Sequence, residues 1–495
     1  MQSTIYEIVI GLEVHAQLAT ASKLFCGDST AFGAAPNTHI SPITLGHPGT
    51  LPKMNRRAIE YAIRLGLACN CEIERFNYFA RKNYFYPDLP KGYQVSQHTT
   101  PICKGGHIII RMPDGDKHIR LNRIHLEEDA GKSIHDADPD NTCVDYNRAG
   151  TPLVEIVTEP DLRSAEEAFA YVTEIRKLVR YLGICDGNME EGSLRCDANI
   201  SVRPVGETKL GTKVEVKNLN SVRNIRRAIE VEAQRLIQLL ESGQPIQQQT
   251  RSFDADNGTT FAIRDKEDAD DYRYFPEPDL APFQLQEEFI AKIQRELPEL
   301  AADRVKRYMS AWLLPAYDAQ VITEDRAMAD YFEGLVQVLA GTTSGIASEQ
   351  QQAQVKAAAN WMLGPVKTWL NEQALSIEAF PVAPARLATL LQLVEKGDLS
   401  FSVASGKLLP LLISQPGQTA EQLATANNLL QESDASALEP VVDAVLEKLS
   451  AKVIEYRKGK KGLLALFVGE VMKQTKGKAD PKKTNELLLD KLNAK

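Results

Sequence analysis

The stretch IVIGLEVHAQL, residues 8–18, places a carboxylate and an imidazole two positions apart inside an apolar run. Successive side chains of a β-strand point to opposite faces, so residues of the same parity share a face. One face then carries the apolar side chains of Ile8, Ile10, Leu12 and Val14, and the other carries Gly11, Glu13, His15 and Gln17. The alternation therefore predicts a strand with one buried face and one polar face.

Charged side chains occur within or beside apolar runs in four more stretches: RIHLEEDAGK (123–132), TPLVEIV (151–157), SLRCDANISVRP (193–204) and KVEVK (213–217). An antiparallel sheet often has one face in water, which explains part of this pattern. A carboxylate inside an apolar run, such as Glu155, is costly to bury without a partner or a metal ion. Convergent acids and cations are typical of magnesium-assisted phosphoryl transfer, because the acids hold the ion and the cations neutralise the phosphoryl oxygens. The pattern alone leaves both interpretations open.

The length of 495 residues, with 43% hydrophobic and 25% charged residues, predicts several globular domains. The sequence has no run of 18 apolar residues, so we expect no membrane span, and MQSTIYEIVI lacks the basic region of a signal peptide. Seven cysteines without a disulfide spacing favour a reducing cytoplasm. Only Cys69 and Cys71 lie close together, and because paired CxxC spacing is missing we expect no zinc.

Charge is unevenly distributed along the chain. The formal net charge is −9, which argues against general nucleic-acid binding. Residues 451–495, however, contain twelve Lys and Arg against five Asp and Glu, a balance of +7 that leaves −16 for the rest. This basic tail predicts contact with an acidic partner, although a solubilising surface produces the same composition.

The periodicity of apolar residues changes near residue 290. Before it, short strands bounded by Gly, Pro, Asn and Asp predominate, and two helices are predicted, at 165–183 and 221–243. After it, apolar residues recur every three to four positions, as in AMADYFEGLVQVLAG and QVKAAANWMLGPVKTWLNEQ, which predicts helices. SQPGQTAEQ (414–422) is expected to form a turn-rich connector between two of them.

Several familiar motifs are missing from the sequence. EDAGKS (128–133) looks like the end of a phosphate-binding P-loop, but the glycine that the motif requires is replaced by Leu126. No GxGxxG follows a strand, and there is no HExxH. Two segments rich in aromatic residues, RKNYFYPDLPKGYQVSQ (81–97) and DDYRYFPEPDL (270–280), either line a substrate site or form rigid loops.

Seven motifs occur in order: IGLEVH, RKNYFYPDLPKGYQ, HLEEDAGKS, NRAGTPLVEIV, EEGSLRCDANIS, KNLNS and DDYRYFPEPDL. Together they resemble the B subunits of aspartyl/glutamyl-tRNA(Asn/Gln) amidotransferases, from about residue 6 to the C-terminal tail. The resemblance implies an α+β fold. It would comprise a glutamine-synthetase-like cradle domain with an antiparallel sheet at 1–290, a helical domain at 291–400 and a small all-α tail domain at 401–495.

The resemblance also implies an activity. The cradle would use ATP and Mg²⁺ to phosphorylate the side-chain carboxylate of Glu on tRNA(Gln), or of Asp on tRNA(Asn). Ammonia would arrive through an internal channel from an amidase-type A subunit that hydrolyses glutamine. A small C subunit would complete a heterotrimer. The chain itself has no Ser/Lys amidase motif, so we do not expect it to hydrolyse glutamine.

Site residues follow from the same resemblance. The magnesium ligands map to Glu13, His15, Glu128 and Glu155, with Asp197 as an addition. Adjacency to matched motifs makes Arg195, Lys217 and Lys132 candidates for neutralising phosphate charge. In the tail, the residues expected to meet the tRNA backbone are Arg457, Lys458, Lys460, Lys461, Lys473, Lys476 and Lys478. Some family members hold zinc in a cysteine cluster, but the cysteine spacing of this chain does not predict one.

Two other functions compete with this one. A stand-alone ligase that amidates a free carboxylate has no use for a basic tail. A non-catalytic tRNA-binding scaffold gives no reason to place acidic residues inside apolar strands, where desolvation is costly. Phosphate contacts alone carry no sequence information, so the tail cannot tell which tRNA is bound.

Overall fold

The computed structural model of the protein describes residues 5–134, 138, 140–265, 272–341, 345–430, 435–475, 479 and 481–493. The chain divides into two compact units, Met1–Leu300 and Ala301–Lys495. The first contains a large sheet with helices, and the second is helical. The prediction of a mixed protein with a helical C-terminal region is thereby confirmed. The cradle shape, the relation to glutamine synthetase and the three predicted domains stay predictions.

Seventeen strands lie in the described part of the first unit: β1 (Tyr6–Gln17), β2 (Glu72–Ile73), β3 (Phe76–Asn77), β4 (Ala80–Asn83), β5 (Tyr93–Ser96), β6 (Cys103–Lys104), β7 (His107–Met112), β8 (Gly115–Glu128), β9 (Lys132–Ile134), β10 (Cys143–Asp145), β11 (Pro152–Thr158), β12 (Leu194–Pro204), β13 (Val214–Lys217), β14 (Gln249–Asp254), β15 (Thr259–Asp265), β16 (Phe275–Pro276) and β17 (Phe283–Gln284). Thirteen form one sheet in the order β15-β14-β13-β12-β1-β11-β8-β5-β4-β16, with β2, β6 and β7 attached beside it. All pairs on this path are antiparallel except β13–β14. The pairs β9–β10 and β3–β17 form two small separate sheets.

Strand β1 lies near the centre of this sheet, between β12 and β11. Its apolar side chains at positions 10, 12, 14 and 16 have no exposed surface, while Glu13 and His15 on the other face are partly exposed. On β12, Leu194, Ala198 and Ile200 are likewise fully buried. The predicted alternation of an apolar and a polar face is therefore confirmed for both strands.

Four helices lie in the described residues of the first unit: α1 (Arg56–Ala68), α2 (Ala165–Tyr181), α3 (Val222–Glu241) and α4 (Glu287–Arg295). Ser164 and Ser221 begin α2 and α3 as N-caps, each accepting a hydrogen bond from a backbone amide in the first turn. Both helices were predicted from the sequence, whereas α1 was not. The apolar faces of α1, α2 and α3 join the same hydrophobic core as β1 and β12.

Gly66 marks the tightest contact between α1 and this core. A Cβ added at Gly66 would lie 2.3 Å from Sγ of the buried Cys103 and 3.0 Å from Ile73. We expect Gly66→Ala to lower the free energy of unfolding by about 1–3 kcal/mol, because overpacking outweighs the gain in helix propensity. Urea denaturation followed by circular dichroism would measure this. Gly334→Ala is the control: its Cβ would meet nothing closer than 3.4 Å, so the same change should be neutral or stabilise by up to about 1 kcal/mol. Equal effects at both positions would contradict the packing argument.

The described part of the second unit contains helices α5 (Ala301–Ala311), α6 (Ala316–Ile322), α7 (Arg326–Ala340), α8 (Glu349–Trp361), α9 (Lys367–Gln373), α10 (Pro384–Glu395), α11 (Phe401–Val403), α12 (Leu409–Ser414), α13 (Ala420–Ala426), α14 (Ala435–Lys448), α15 (Ser450–Arg457), α16 (Leu464–Gln474) and α17 (Pro481–Asn493). Short π-helical segments, Met362–Val366 and Ala404–Leu408, join α8 to α9 and α11 to α12. Within the described residues, no helix combines the length and the apolar character that crossing a lipid bilayer requires.

The second unit has two hydrophobic clusters. The first runs from Val305 to Ala424 and includes side chains of α5 to α13. The second joins α14 to α17 through buried residues such as Val442, Phe467 and Leu488. Helices α11 to α13, which the sequence assigned to the tail domain, thus contribute to the first cluster.

Candidate active site

Strand register brings four polar side chains together on one face of the sheet. Glu155 on β11 lies opposite His15 of β1 on one side and opposite His125 of β8 on the other. Two positions further along β8, on the same face as His125, is Glu127. Consecutive strands of an antiparallel sheet place directly opposed side chains within contact distance, so residues far apart in sequence converge here.

Three of these residues form a group able to hold a metal ion. His15 Nε2 lies 3.6 Å from Glu155 Oε2 and 3.7 Å from Glu127 Oε1. One ligand atom from each residue lies within 4.8 Å of the others. Two carboxylates and one imidazole fit a hard divalent cation such as Mg²⁺ or Mn²⁺, which completes its coordination with water and phosphate oxygens. The donor set therefore fits the ion that the sequence predicted, and metal binding itself stays a prediction.

His125 bridges the two glutamates from behind. Its Nε2 lies 3.2 Å from Glu155 Oε2 and 3.6 Å from Glu127 Oε2, and its side chain is buried. Burial alone would lower the pKa of His125, but Glu155 and Glu127 outweigh it and raise the pKa to about 9. For Glu155, burial would raise the pKa, yet His125 and His15 hold it well below its usual value. The carboxylates are thus ionised, as a metal ligand requires.

Glu13 and Asp197 form the next row of the same face. The two residues lie opposite each other on β1 and β12, and Asn199 donates a hydrogen bond of 2.8 Å to Glu13. Asp197 accepts a hydrogen bond of 2.5 Å from Lys217 on β13. Burial would lower the pKa of Lys217, but the charges of Asp197 and Glu215 outweigh burial and raise it, so the amine stays charged. Both predicted ligands therefore share the face of His15, outside the three-residue group.

Glu128 points away from this face. Its Oε1 accepts a hydrogen bond of 2.8 Å from the backbone amide of Val95 and pairs with the amine of Lys91. It lines a different cavity of about 200 Å³, together with Lys23 and Cys26. The structure places Glu127, and not Glu128, beside His15, whereas the prediction of Glu128 as a magnesium ligand stays a prediction. The alternation of side chains in RIHLEE (123–128) indicates this placement, because Glu128 lies on the same face as Ile124 and Leu126, and Glu127 lies on the same face as His125.

The predicted cations separate into two groups. Arg195 lies opposite His15 on β12 and donates a hydrogen bond of 2.9 Å to Asp129. Burial would raise the pKa of Asp129, but Arg195 and Arg148 outweigh it and keep the carboxyl ionised. Lys132, in contrast, has an exposed side chain on β9, in the small β9–β10 sheet. Arg195 and Lys217 therefore join the polar face, and the structure does not bring Lys132 to it.

Lys82 was not predicted from the sequence. It lies on β4, two residues from Ala80, which is opposite Ser96, and Ser96 is in turn opposite Glu127. Burial would lower the pKa of Lys82, but Tyr274, Glu127 and neighbouring acidic groups raise it. The sequence does not show that Lys82, within RKNYFYP, lies on the polar face, because the face of its side chain depends on how β4 pairs with β5.

The tail candidates that the structure describes are exposed: Arg457, Lys458, Lys460, Lys461 and Lys473. Lys476 and Lys478 lie outside the described residues. Arg457 donates hydrogen bonds of 3.2 and 3.3 Å to backbone carbonyls at the end of α17, so it also has a structural role. Lys460 pairs with Glu455 at 3.0 Å, which partly neutralises it.

All seven cysteines are free thiols. Cys69, Cys71 and Cys103 are buried, and burial raises the pKa of Cys71 to about 12. A neutral thiol is a poor metal ligand. The expected absence of zinc stays a prediction.

Two family models match the chain. The model described as the GatB/GatE catalytic domain matches residues 8–291, and the one described as the GatB domain matches residues 344–492. The first match spans the polar face described above, and the second includes the basic tail.

Curated relatives match over nearly the full length. A protein of Chlorobaculum tepidum is 51% identical over 489 residues, covering 99% of this chain and 100% of the relative. A protein of Geobacter sp. strain M21 is 49% identical over 490 residues, covering 98% and 99%. One from Thermosynechococcus vestitus is 49% identical over 502 residues, covering 99% and 97%. Each of the three is named as the B subunit of an aspartyl/glutamyl-tRNA(Asn/Gln) amidotransferase.

Proposed function

Because the chain belongs to the family of aspartyl/glutamyl-tRNA(Asn/Gln) amidotransferase B subunits, we propose that it activates the side-chain carboxylate of an amino acid esterified to tRNA. The substrate is Glu-tRNA(Gln), Asp-tRNA(Asn) or both. The γ-phosphoryl group of ATP is transferred to the carboxylate oxygen, giving ADP and an acyl phosphate. Ammonia then attacks the acyl carbon, phosphate leaves with the bonding electrons, and one proton is lost. The product is the amide, which translation uses.

Activation is needed because a carboxylate is a poor electrophile. Direct attack by ammonia would have to expel oxide, whereas phosphate is a good leaving group. An acyl phosphate also hydrolyses readily, so the site has to exclude water and receive ammonia directly. His125, Glu127 and Glu155 are buried on this face, which suits the exclusion of water.

The observation that carries the proposal is the group of His15, Glu127 and Glu155. These residues would hold Mg²⁺, which when bound neutralises phosphate oxygens and orients the phosphoryl group. His125 fixes both carboxylates from behind, which limits their rotation. Such support of a ligand by a buried partner is what a precisely oriented metal site needs.

Three cations of this face are suited to the developing phosphoryl charge. Arg195 and Lys217 are each oriented by a carboxylate, Asp129 and Asp197 respectively. Lys82 lies on the other flank, beyond Glu127. Preorganised cations stabilise a charge that builds up during the reaction because they need not rearrange when it appears.

A cavity next to Glu13 is suited to the nucleotide. It has a volume of about 270 Å³, near the lower end for small-molecule pockets, and its lining includes Val9, Gly11, Leu210 and Lys213. Apolar walls suit the faces of a purine base, and the lysine suits a phosphate. Val9 and Gly11 precede Glu13 and His15 on the same face of β1, so the cavity lies along this strand from the metal group.

The cavity lined by Glu128 is suited to ammonia delivery. Its lining is polar and includes Lys91, Thr44 and Glu277. Glu128 and Glu127 are consecutive, so this cavity and the polar face lie on either side of one strand. We assign the ammonia supply to a glutamine-hydrolysing A subunit, with a small C subunit completing the complex and the basic tail contacting tRNA.

The test is ADP release by the complex of this chain with its A and C subunits. ATP, magnesium and ammonium are supplied with Glu-tRNA(Gln), with Asp-tRNA(Asn), with uncharged tRNA or with free glutamate. We expect ADP only with a misacylated tRNA, because only it presents the carboxylate to be phosphorylated. Equal ADP formation with free glutamate would replace the proposal by a stand-alone ligase. Binding of tRNA without ADP under any condition would replace it by a scaffold.

A further inference from the structure

The two aromatic-rich segments of the first unit meet beside the candidate metal group. β16 pairs with β4, which places Phe275 opposite Arg81. Arg81 also forms two hydrogen bonds, of 2.7 and 2.8 Å, with the buried carboxylate of Glu277. The side-chain amide of Asn83 donates to the backbone carbonyls of Tyr272 and Arg273, at 3.2 and 2.9 Å. The second segment is therefore fixed against the first by paired charges and backbone contacts.

Five rings from these segments and the end of β5 form what we call the tyrosine cluster: Tyr84, Tyr86, Tyr272, Tyr274 and His98. The Tyr84 ring centroid lies 5.9 Å from that of Tyr86 and 6.2 Å from that of Tyr272. Tyr272 and Tyr274 are 6.1 Å apart, and Tyr274 stacks on His98 at 4.0 Å with an angle of 7° between the rings. The cluster is thus a continuous row of rings that ends in a flat stacked pair.

The cluster is partly open to solvent. His98 is exposed, Tyr86 exposes half of its surface, and the neighbouring Phe85 exposes 88%. Rings that only stabilise a loop normally pack inward, because burial of aromatic surface is their main contribution to stability. Exposed aromatic rings next to polar groups are instead typical of a binding surface.

Lys82 connects the cluster to the metal group. Its Nζ lies 4.9 Å from the ring centroid of Tyr272 and 5.9 Å from that of Tyr84. Strand register places Lys82 on the face of Glu127, on the side of β8 opposite to β1. The proposed nucleotide cavity is lined by residues of β1, β11 and β12. The cavity therefore lies further along β1 from His15, and the tyrosine cluster lies beyond β8.

We infer that the tyrosine cluster binds the unpaired 3′-terminal nucleotide of the RNA, with its base stacked on the open end of the pair that Tyr274 and His98 form. This inference rests on the proposed function, which requires an amino acid esterified to that nucleotide to reach the metal group. Bases of single-stranded nucleic acid stack on aromatic rings, and a nearby cation suits the adjoining phosphate or carboxylate. Phosphoryl donor and acceptor then approach the metal group from different directions, the donor along β1 and the acceptor across β8.

Stacking of this kind lets the site accept the acceptor end of either tRNA. Every base has a π-face, so stacking is tolerant of sequence and reads only that the nucleotide is unpaired. The cluster therefore positions the acceptor end without selecting the tRNA, and the selection is made elsewhere.

The test is a double-mutant cycle between the cluster and the terminal base. The full chain is titrated, without ATP or metal, with an uncharged RNA hairpin that has a four-nucleotide 3′ overhang. A second hairpin lacks only the terminal base. We expect loss of the base to weaken binding about tenfold for the native chain, within the range given by stacking of one base. Tyr274→Leu should weaken binding of the intact hairpin to the same extent, and loss of the base should then cost that variant less than about twofold.

Controls separate stacking from folding. Tyr274→Phe keeps the π-face and should bind as the native chain does, with an unchanged melting temperature. Tyr317→Leu, at an exposed ring of α6, should have no effect. The inference is overturned if loss of the base weakens binding of the Tyr274→Leu chain as much as it weakens binding of the native chain. It is also overturned if loss of the base does not weaken binding of the native chain. The binding cycle needs no catalysis, so its result does not depend on ADP release. Failure of the tyrosine-cluster inference can therefore be distinguished from failure of the proposed function.

Discussion

Glu127→Gln should lower magnesium-dependent ADP formation by about a thousandfold, whereas Glu128→Gln should lower it by less than about threefold. A loss of this size corresponds to about 4 kcal/mol of transition-state stabilisation, which a bound divalent ion readily supplies. Glu127 lies 3.7 Å from His15 within the donor group, while Glu128 faces the opposite side of β8 and pairs with Lys91. Two adjacent residues of the same type, changed in the same way, thus provide a matched pair.

The comparison needs a measurement that does not depend on turnover. Mn²⁺ binding to the free chain, followed by electron paramagnetic resonance without ATP or RNA, reports the donor group directly. We expect the Glu127→Gln chain to lose high-affinity Mn²⁺ binding and the Glu128→Gln chain to keep it. RNA binding should remain within a few fold for both. The reverse order of the two variants would show that the metal is held on the other face of β8 and that the donor group is wrongly assigned.

Removal of residues 431–495 should weaken tRNA binding by about a hundredfold in low salt and flatten its salt dependence. The deletion takes away the whole hydrophobic cluster of α14 to α17, so no apolar remnant of that cluster stays behind. Each phosphate contact that is lost should reduce the slope of log K against log salt by about 0.7–0.9. Filter binding between about 50 and 300 mM salt would measure both quantities. An unchanged slope would remove the tail from the RNA interface.

A pair of charge reversals refines this result. Lys458→Glu with Lys473→Glu changes two exposed tail lysines, and Lys396→Glu with Lys407→Glu changes two exposed lysines of the preceding helices. Both variants alter the net charge equally, so a general electrostatic effect would weaken binding equally. We expect a clear loss only for the tail pair. Arg457 is avoided because it holds the end of α17.

Local patterns explain which parts of the fold the sequence predicted. Alternation predicted the two faces of β1 and β12, because parity along one strand is a local property. Apolar spacing predicted α2 and α3 at 165–183 and 221–243, within two residues of their observed ends. Helix α1 was not predicted, although Ala58, Ile59, Ala62 and Ile63 recur at helical spacing. The region before residue 290 was interpreted as strands because most of its segments have the composition of strands.

The candidate site was predicted less completely, for a physical reason. Which strands are neighbours is decided by contacts between distant segments, so the sequence did not show that β4 would place Lys82 on the face of Glu127. The position of Lys132 beside a matched motif was equally uninformative, because among the described strands β9 pairs only with β10. The choice between Glu127 and Glu128 differs from these cases. The alternation of side chains along RIHLEE already places Glu127 on the face of His125, but the sequence analysis did not use it for this segment.

The position of Glu127 and Glu128 on opposite sides of β8 has a consequence for how genes of this family can change. Side chains of β8 alternate between its two faces, so losing or gaining one residue between Arg123 and Glu127 would exchange the metal group and the cavity of Glu128. Neither site would then keep its chemistry, and no single further substitution would restore both. Length changes should be confined to the connecting loops, and this strand should evolve by substitution alone.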